Sequence, residues 1–254
     1  MFRLLGIPVA DVSVTQAAAR VAELVQGSGG YLVVTLNPEI VVAAARSESY
    51  RQALCQASLV VADGTGIVLA SYLCGQPIRH GRVTGVDLVH EIVKNSSKAM
   101  YSVMLAGSTR EVLDKTTLKF ASMYNNSNII ATFSKADRSK DDNPRAEETE
   151  LYYEVMKWKP DVLLLAFGHP RQELWIAKNA KRLPCKVMIG VGGSFDYISG
   201  QVTRAPLLLR RFGFEWFWRL LLQPKRVKRI NKALLIFPFV FIKSLIVPHG
   251  TGHG

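Results

Sequence analysis

Acidic side chains are scarce where basic ones are dense. Across Thr203 to Lys243 a single acid, Glu215, stands against ten Lys and Arg side chains, a surplus of +9 in a chain whose net charge is +12. Cysteine is sparse too: Cys55, Cys74 and Cys185 are far apart, odd in number and without a CxxC pair. A disulfide framework is therefore excluded, and the expected role is that of small buried hydrophobes. His80, His90, His169, His249 and His253 show no ligand spacing and there is no Asp-x-Asp pair, so a site that needs no metal and no cofactor is expected. Long apolar runs are missing as well. The longest, Leu234 to Val247, is about 14 residues interrupted by Pro238 and Lys243, where a spanning helix needs about 20. The first ten residues hold one Arg and an apolar run that meets Asp11, too little for a secretory signal, so the chain is expected to stay in the cytosol. Neither a P-loop nor a GxGxxG after the first predicted strand is present, which disfavours a standard ATP or NAD fold.

What is present reads as one α/β unit with a tail. The 254 residues, 48% apolar, suffice for one substantial core. Six runs are continuous in aliphatic and β-branched residues, as strands buried on both faces are: Tyr31 to Asn37, Ser58 to Asp63, Met100 to Gly107, Asn128 to Phe133, Asp161 to Gly168 and Lys186 to Gly193. Segments of helical period separate them: Pro38 to Ala57, Thr65 to Leu73, Asp87 to Lys94, Arg110 to Tyr124, Ala146 to Lys157 and Gln172 to Arg182. The alternation predicts a Rossmann-like, mostly parallel sheet flanked by helices. Ser134 to Pro144 is turn-rich and reads as a loop. The pattern changes after Gly200, so residues 1–200 are expected to form the core and 201–254 a basic, aromatic-rich helical appendage.

Open parallel sheets bind ligands beyond the carboxyl ends of their strands. Five of the six predicted strands stop there at polar or glycine-rich turns: Thr35-Leu36-Asn37, Asp63-Gly64-Thr65-Gly66, Gly107-Ser108-Thr109, Gly168-His169-Pro170-Arg171-Gln172 and Gly190-Val191-Gly192-Gly193-Ser194. Glycine lets the backbone approach a phosphate, and each following helix N-terminus adds partial positive charge worth about 0.3–1 kcal/mol. A nucleoside diphosphate is the natural occupant, although any one such turn also serves ordinary βα packing. Asp63 follows a wholly apolar strand and precedes glycines that open a helix, so its carboxylate faces the ligand edge or caps that helix; position alone does not choose. Thr35 and Asn37 are placed to hydrogen-bond a sugar or to orient Asp63; alternatively, Asn37 caps the helix after Pro38. His169 lies near the site, where a turn before Pro170 explains it equally well.

The tail interleaves its cations with Phe212, Phe214, Trp216, Phe217, Trp218, Phe237, Phe239 and Phe241. Val227, Ile230 and Leu234 form one stripe at i, i+3 and i+7, ringed by Lys225, Arg226, Lys228, Arg229 and Lys232, a pattern suited to a helix lying on an anionic membrane surface. Each nearby cation adds about 1 kcal/mol of attraction. Trp216 and Phe217 have the plainer alternative of packing on the α/β core. Nucleic-acid binding, as an RNA-modifying enzyme or a binding module, is the rival reading. The aliphatic run LLIFPFVFIKSLIV offers no stacking platform and nothing to read a base edge, so lipid is preferred and no nucleic-acid partner is expected. Self-association over the hydrophobic tail is a further candidate state.

At these turns the sequence resembles the WecG/TagA/CpsF family of bacterial glycosyltransferases. The matching blocks are TLNPEIV (Thr35 to Val41), ADGTGIV (Ala62 to Val68), RVTGVDL (Arg82 to Leu88), FGHPRQELWI (Phe167 to Ile176), GVGGSFDYISGQVTRAP (Gly190 to Pro206) and GFEWFWRLLLQPKRVKR (Gly213 to Arg229). The chain departs from the family's pattern at Ala106 to Arg110, where a Gly-Gly-x-Pro-Gly turn is usual, at Gly81, where Glu is common, and at Phe133 to Lys135. The resemblance implies transfer of N-acetylmannosamine from its UDP conjugate to a polyprenyl-diphosphate-linked N-acetylglucosamine, in wall teichoic acid or other surface-polymer synthesis, at the inner face of the membrane. It implies Asp63 as general base, Thr35 and Asn37 as polar contacts of the pocket, Arg82 and Gln172 near donor and diphosphate, and Gly192, Gly193 and Asp196 as nucleotide-binding surface. Arg210, Arg211 and Arg219 are then placed to close over the site and meet the acceptor diphosphate, with Lys225, Arg226 and Arg229 at the headgroups.

Overall fold

The computed structural model describes residues 1–125, 128–132, 144–211, 213–222 and 232–246. The chain opens with a two-stranded hairpin, β1 (Arg3–Leu4) and β2 (Ile7–Pro8), followed by α1 (Val14–Val25). Neither is among the sequence expectations. The hairpin strands are too short for a period, yet Phe2, Leu4, Ile7 and Val9 are buried in the main core. The start of α1 is marked by a capping box, in which Ser13 Oγ accepts from Gln16 N at 3.2 Å and Gln16 Oε1 accepts from Ser13 N at 2.8 Å.

The six apolar runs form one sheet of β3 (Tyr31–Leu36), β4 (Leu59–Ala62), β5 (Val103–Ala106), β6 (Ile129–Ala131), β7 (Val162–Leu165) and β8 (Val187–Gly190). Its order is β4-β3-β8-β7-β5-β6 and every pairing is parallel. Every residue of β4, β5, β7 and β8 is buried, which is why their sequences do not alternate. Edge strand β6 alone is half-buried throughout.

Helices cover both faces. One core layer holds α2 (Pro38–Ala44), α3 (Glu48–Cys55), α4 (Thr65–Leu73), α7 (Pro144–Trp158) and α8 (Arg171–Asn179). The other holds α1, α5 (Gly85–Ala99), α6 (Arg110–Tyr124) and α9 (Ser194–Ile198). The segment expected as one helix, Pro38 to Ala57, is two. Its break is at Ser47, whose hydroxyl caps α3 by accepting from Tyr50 N, so a local side-chain bond outcompetes the helical ladder. α5 is longer than expected because Thr84 caps it and Met100, at φ 54°, ends it.

After Gly200 come α10 (Leu207–Arg211), α11 (Glu215–Leu222), a π-helical turn (Lys232–Ile236) and α12 (Phe237–Ile246). The last two fold back on α2, where Phe237 and Phe241 join the main core. Lys225, Arg226, Arg229 and most of the expected Val227–Ile230–Leu234 stripe lie outside the described residues, as do Phe133 and residues 134–143 of the expected loop. Among the described residues no helix is long and apolar enough to cross a membrane.

Candidate functional site

β3 and β8 are neighbours, but the helices that follow them, α2 and α9, pack on opposite faces of the sheet. Between their carboxyl ends the loops diverge and leave a crevice. The register sets Leu36 beside Ala62, and Gly190 beside both Val34 and Leu165, so four strands end at nearly one level. Above them opens a cleft of about 630 Å³, the size of a ligand pocket. Thr35, Asn37, Asp63, Arg82, Gly107, Ser108, Gly168, Gln172, Gly192, Gly193 and Asp196 all line it.

Asp63 N donates to Leu36 O at 2.7 Å, extending the ladder one residue past β4 and pinning the backbone that carries the carboxylate. Gly64, at φ 111°, then turns the chain away and takes the N-cap position of α4, which no side chain caps. Helix capping is thus not the task of Asp63. Burial and the negative charge of Glu215 push its carboxyl up to about 7, against the opposing pull of Arg82 and the Gly85 N–H. A carboxylate of that basicity, half-buried at the floor of a cleft, is matched to proton transfer near neutrality.

Asn37 does cap its helix: Oδ1 accepts from Ile40 N at 3.0 Å, which leaves Nδ2 as the end that can donate to a ligand. Thr35, buried, donates to Gly190 O at 3.3 Å and so ties β3 to β8 beneath the cleft. His169 stands on the cleft wall with Nε2 3.5 Å from Glu39 Oε2.

Gln172 lines the cleft and also links its turns. Its Oε1 accepts from Gly168 N at 2.9 Å and from Gly192 N at 3.2 Å, and its Nε2 donates to Glu173 Oε1 at 2.6 Å. One buried amide therefore holds together two of the glycine turns. Gly190 faces this amide so closely that a Cβ there would lie 2.5 Å from Gln172 Nε2.

The tail supplies a wall. Gly213, Glu215, Trp216, Leu234, Phe237, Pro238 and Phe241 line the cleft with Leu69 and Leu73 of α4. Trp216 is half-buried there, whereas Phe217 is exposed, so the two aromatics divide between the alternatives open to both. Arg82 is gripped by this wall, with Nη1 3.1 Å from Glu215 Oε2 and Nη2 donating to Arg210 O at 2.7 Å. Arg210 Nε is buried and has no hydrogen-bond partner among the described residues. Arg211 ends α10 and Arg219 lies in α11. Sequence reasoning counted Glu215 only as the tail's lone acid, and passed over Arg204 and Asp87. Arg204 binds Asp87 through two parallel bonds of 2.7 and 2.9 Å, and its Nε lies 3.3 Å from Glu215 Oε1. Burial acts to raise Asp87, but the hydrogen bonds from Arg204 and Thr84 prevail and hold it below the usual carboxylate range. The signal available was the block GFEWFWRLLLQ, in which one acid interrupts a basic, apolar segment. Among the described residues no group of three or more His, Cys, Asp or Glu side chains is arranged to hold a metal ion.

The profile of the glycosyl transferase WecG/TagA/CpsF family matches residues 2–249. Two proteins of Staphylococcus aureus, from strains NCTC 8325 / PS 47 and COL, are each 33% identical to the chain over 219 residues, 86% of it and 82% of each relative. Both are named N-acetylglucosaminyldiphosphoundecaprenol N-acetyl-beta-D-mannosaminyltransferase.

Proposed function

The chain belongs to the WecG/TagA/CpsF family of glycosyltransferases, and from that premise we propose that it moves N-acetylmannosamine from UDP to a polyprenyl-diphosphate-linked N-acetylglucosamine. The product lipid would feed wall teichoic acid or another cell-surface polysaccharide. The observation that carries the reading is Asp63, held at the end of β4 on the floor of the cleft with a carboxyl pushed up to about 7.

The acceptor hydroxyl ionises far above neutrality, so its proton must leave as the new bond forms. Asp63 takes that proton while the hydroxyl oxygen bonds to the anomeric carbon. The bond from that carbon to the UDP oxygen breaks, and UDP leaves with the electron pair. Direct displacement inverts the anomeric centre. The Gly107–Ser108 and Gly192–Gly193 turns bring backbone to the cleft where the diphosphate would lie, and Arg82 offers a cation. Asn37 and Asp196, both on the cleft wall, are the polar side chains we assign to the sugar and nucleoside. Gln172 acts by holding the turns.

Work at the inner face of the membrane is part of the same proposal. Leu69 and Leu73 of α4 are exposed on the cleft wall, and Leu235 and Phe239 in the tail and Leu207 and Leu208 on α10 are exposed too, on a chain whose excess charge is concentrated in that tail. An acceptor embedded at headgroup depth would meet an apolar rim. Family membership favours this lipid reading of the basic tail over nucleic acid.

The test is UDP release from UDP-N-acetylmannosamine in detergent with a lipid-diphosphate-N-acetylglucosamine acceptor. Acceptor-dependent turnover that drops by about 10² or more in folded Asp63→Asn supports the reaction and the base together. Turnover within about tenfold of wild type keeps the reaction and removes Asp63 as base. Absence of turnover with this donor overturns its assignment.

A further inference from the structure

Glu215 is the single acid of a tail with ten cations, and it is not at the surface edge. Its side chain is 17% exposed and lies between two guanidinium groups, Arg82 at 3.1 Å and Arg204 at 3.3 Å. Arg204 is anchored in turn to the start of α5, by paired bonds to Asp87 and a 3.2 Å bond to Thr84 Oγ1. The result is an alternating row, Asp87, Arg204, Glu215, Arg82, that stitches α11 to the loop before α5. Arg82 adjoins Val83, whose N–H donates to Ala62 O at 2.7 Å, so this loop is hydrogen-bonded to the residue just before Asp63. With Nη2 on the Arg210 carbonyl as well, the Arg82 guanidinium is held by the tail at two points.

We propose that Glu215 is a positioning residue for the transfer reaction: by engaging Arg82 it aims that guanidinium, and by neutralising it keeps Arg82 from pairing with Asp63, so that Asp63 is an effective base only with the tail docked. The inference rests on the reaction proposed above. Four charged or polar partners act on Asp63: Glu215 from α11, Arg82 and the Gly85 N–H from the loop and first residue of α5, and Asp87 from α5. Glu215 and Asp87 oppose its ionisation, while Arg82 and the amide favour it. Glu215 thus acts on Asp63 twice, by its own charge and by compensating Arg82.

Removing the charge at 215 lowers the pH at which Asp63 loses its proton and leaves a weaker base. The experiment compares wild type, Glu215→Gln and Glu215→Asp as full-length chains in detergent. Expected for Glu215→Gln are a kcat/KM lower by about tenfold at pH 8 and an acid limb of the pH profile displaced downward by about half a unit or more. Glu215→Asp, which keeps the charge on a shorter arm, should recover part of both. An acid limb that stays in place in folded Glu215→Gln, with or without loss of rate, overturns the proposal. A measurement without turnover separates it from the reaction: the carboxyl ¹³C signal of Asp63, assigned by its loss in Asp63→Asn, is titrated in each variant. A midpoint unchanged by Glu215→Gln overturns the role of Glu215 even where transfer is observed. A midpoint that falls supports it even where the donor proves to be another sugar.

Discussion

The phenol of Tyr50 donates to Glu173 Oε2 at 2.9 Å, across 123 residues of sequence, beneath the glycine turns of the cleft. Both residues are almost wholly buried, and the second carboxylate oxygen of Glu173 accepts from Gln172 Nε2. Burial raises Glu173 above the usual carboxylate range against the pull of those two donors. A line of three side chains therefore runs from α3 through α8 to the Gly168 and Gly192 amides.

Tyr50→Phe removes one donor from a buried carboxylate and keeps the ring in place. A stability loss of about 1–3 kcal/mol in chemical denaturation is expected, with kcat changed little. Gln172→Ala frees both turns, and its expected signature is kinetic: kcat/KM down by about 10- to 100-fold, because misplaced backbone donors cost transition-state stabilisation.

Asp63 makes a prediction of opposite sign for activity and stability. Its folded value near 7 lies above the ordinary 3.8, so between those values the folded chain keeps a proton that the unfolded chain has lost. Stability from this group falls as pH rises through that window, and the cost persists above it. Asp63→Asn carries no such charge. Its Tm should exceed that of wild type by about 2 °C or more at pH 8, with a smaller gain at pH 4, while turnover is lost. For wild type, kcat/KM should fall about tenfold per pH unit below 7.

Gly213, at φ +80°, packs against the side chain of Thr65, and a Cβ would collide with Thr65 Cγ2. Gly213→Ala should lift α11 from α4 without touching the sheet. Activity is expected to fall by about tenfold or more. Limited proteolysis should cut the tail faster while the core fragment survives; a tail as resistant as in wild type would count against this docking contact.

Three nearby positions in the tail should divide into two behaviours. Phe237 is buried in the main core, so Phe237→Ala is expected to cost about 3 kcal/mol or more in a thermal or denaturant melt. Leu235 and Phe239 are 76% and 68% exposed. Replacing both with Glu should leave the melt unchanged and abolish pelleting with vesicles of anionic lipid, the readout of the membrane face.

Much of the sheet was legible because parallel strands buried on both faces write continuous aliphatic runs, and because five of the six runs met a glycine or polar turn at the ligand edge. The α3 boundary was less so, since Ser47 ends one helix and starts another through a single hydrogen bond that periodicity does not register. The hairpin at Phe2 to Val9 left no period to read, having only four paired residues, and the burial of Phe2, Leu4, Ile7 and Val9 depends on a core layer built by remote elements such as α3.

The candidate site divides in the same way. Sequence alone determined which strand-end residues reach the cleft: strand ends are local features, and Asp63, Thr35, Asn37 and the glycine turns lie where their own strands stop. Tertiary structure decided what each does there. Gln172 is spent on Gly168 and Gly192, Asn37 caps α2 with one end of its amide, and Glu215 pairs with Arg82 across 133 residues of chain. A charge or an amide acquires its role from the partner it meets, and those partners are brought together by the packing of distant elements, which no local pattern of residues encodes.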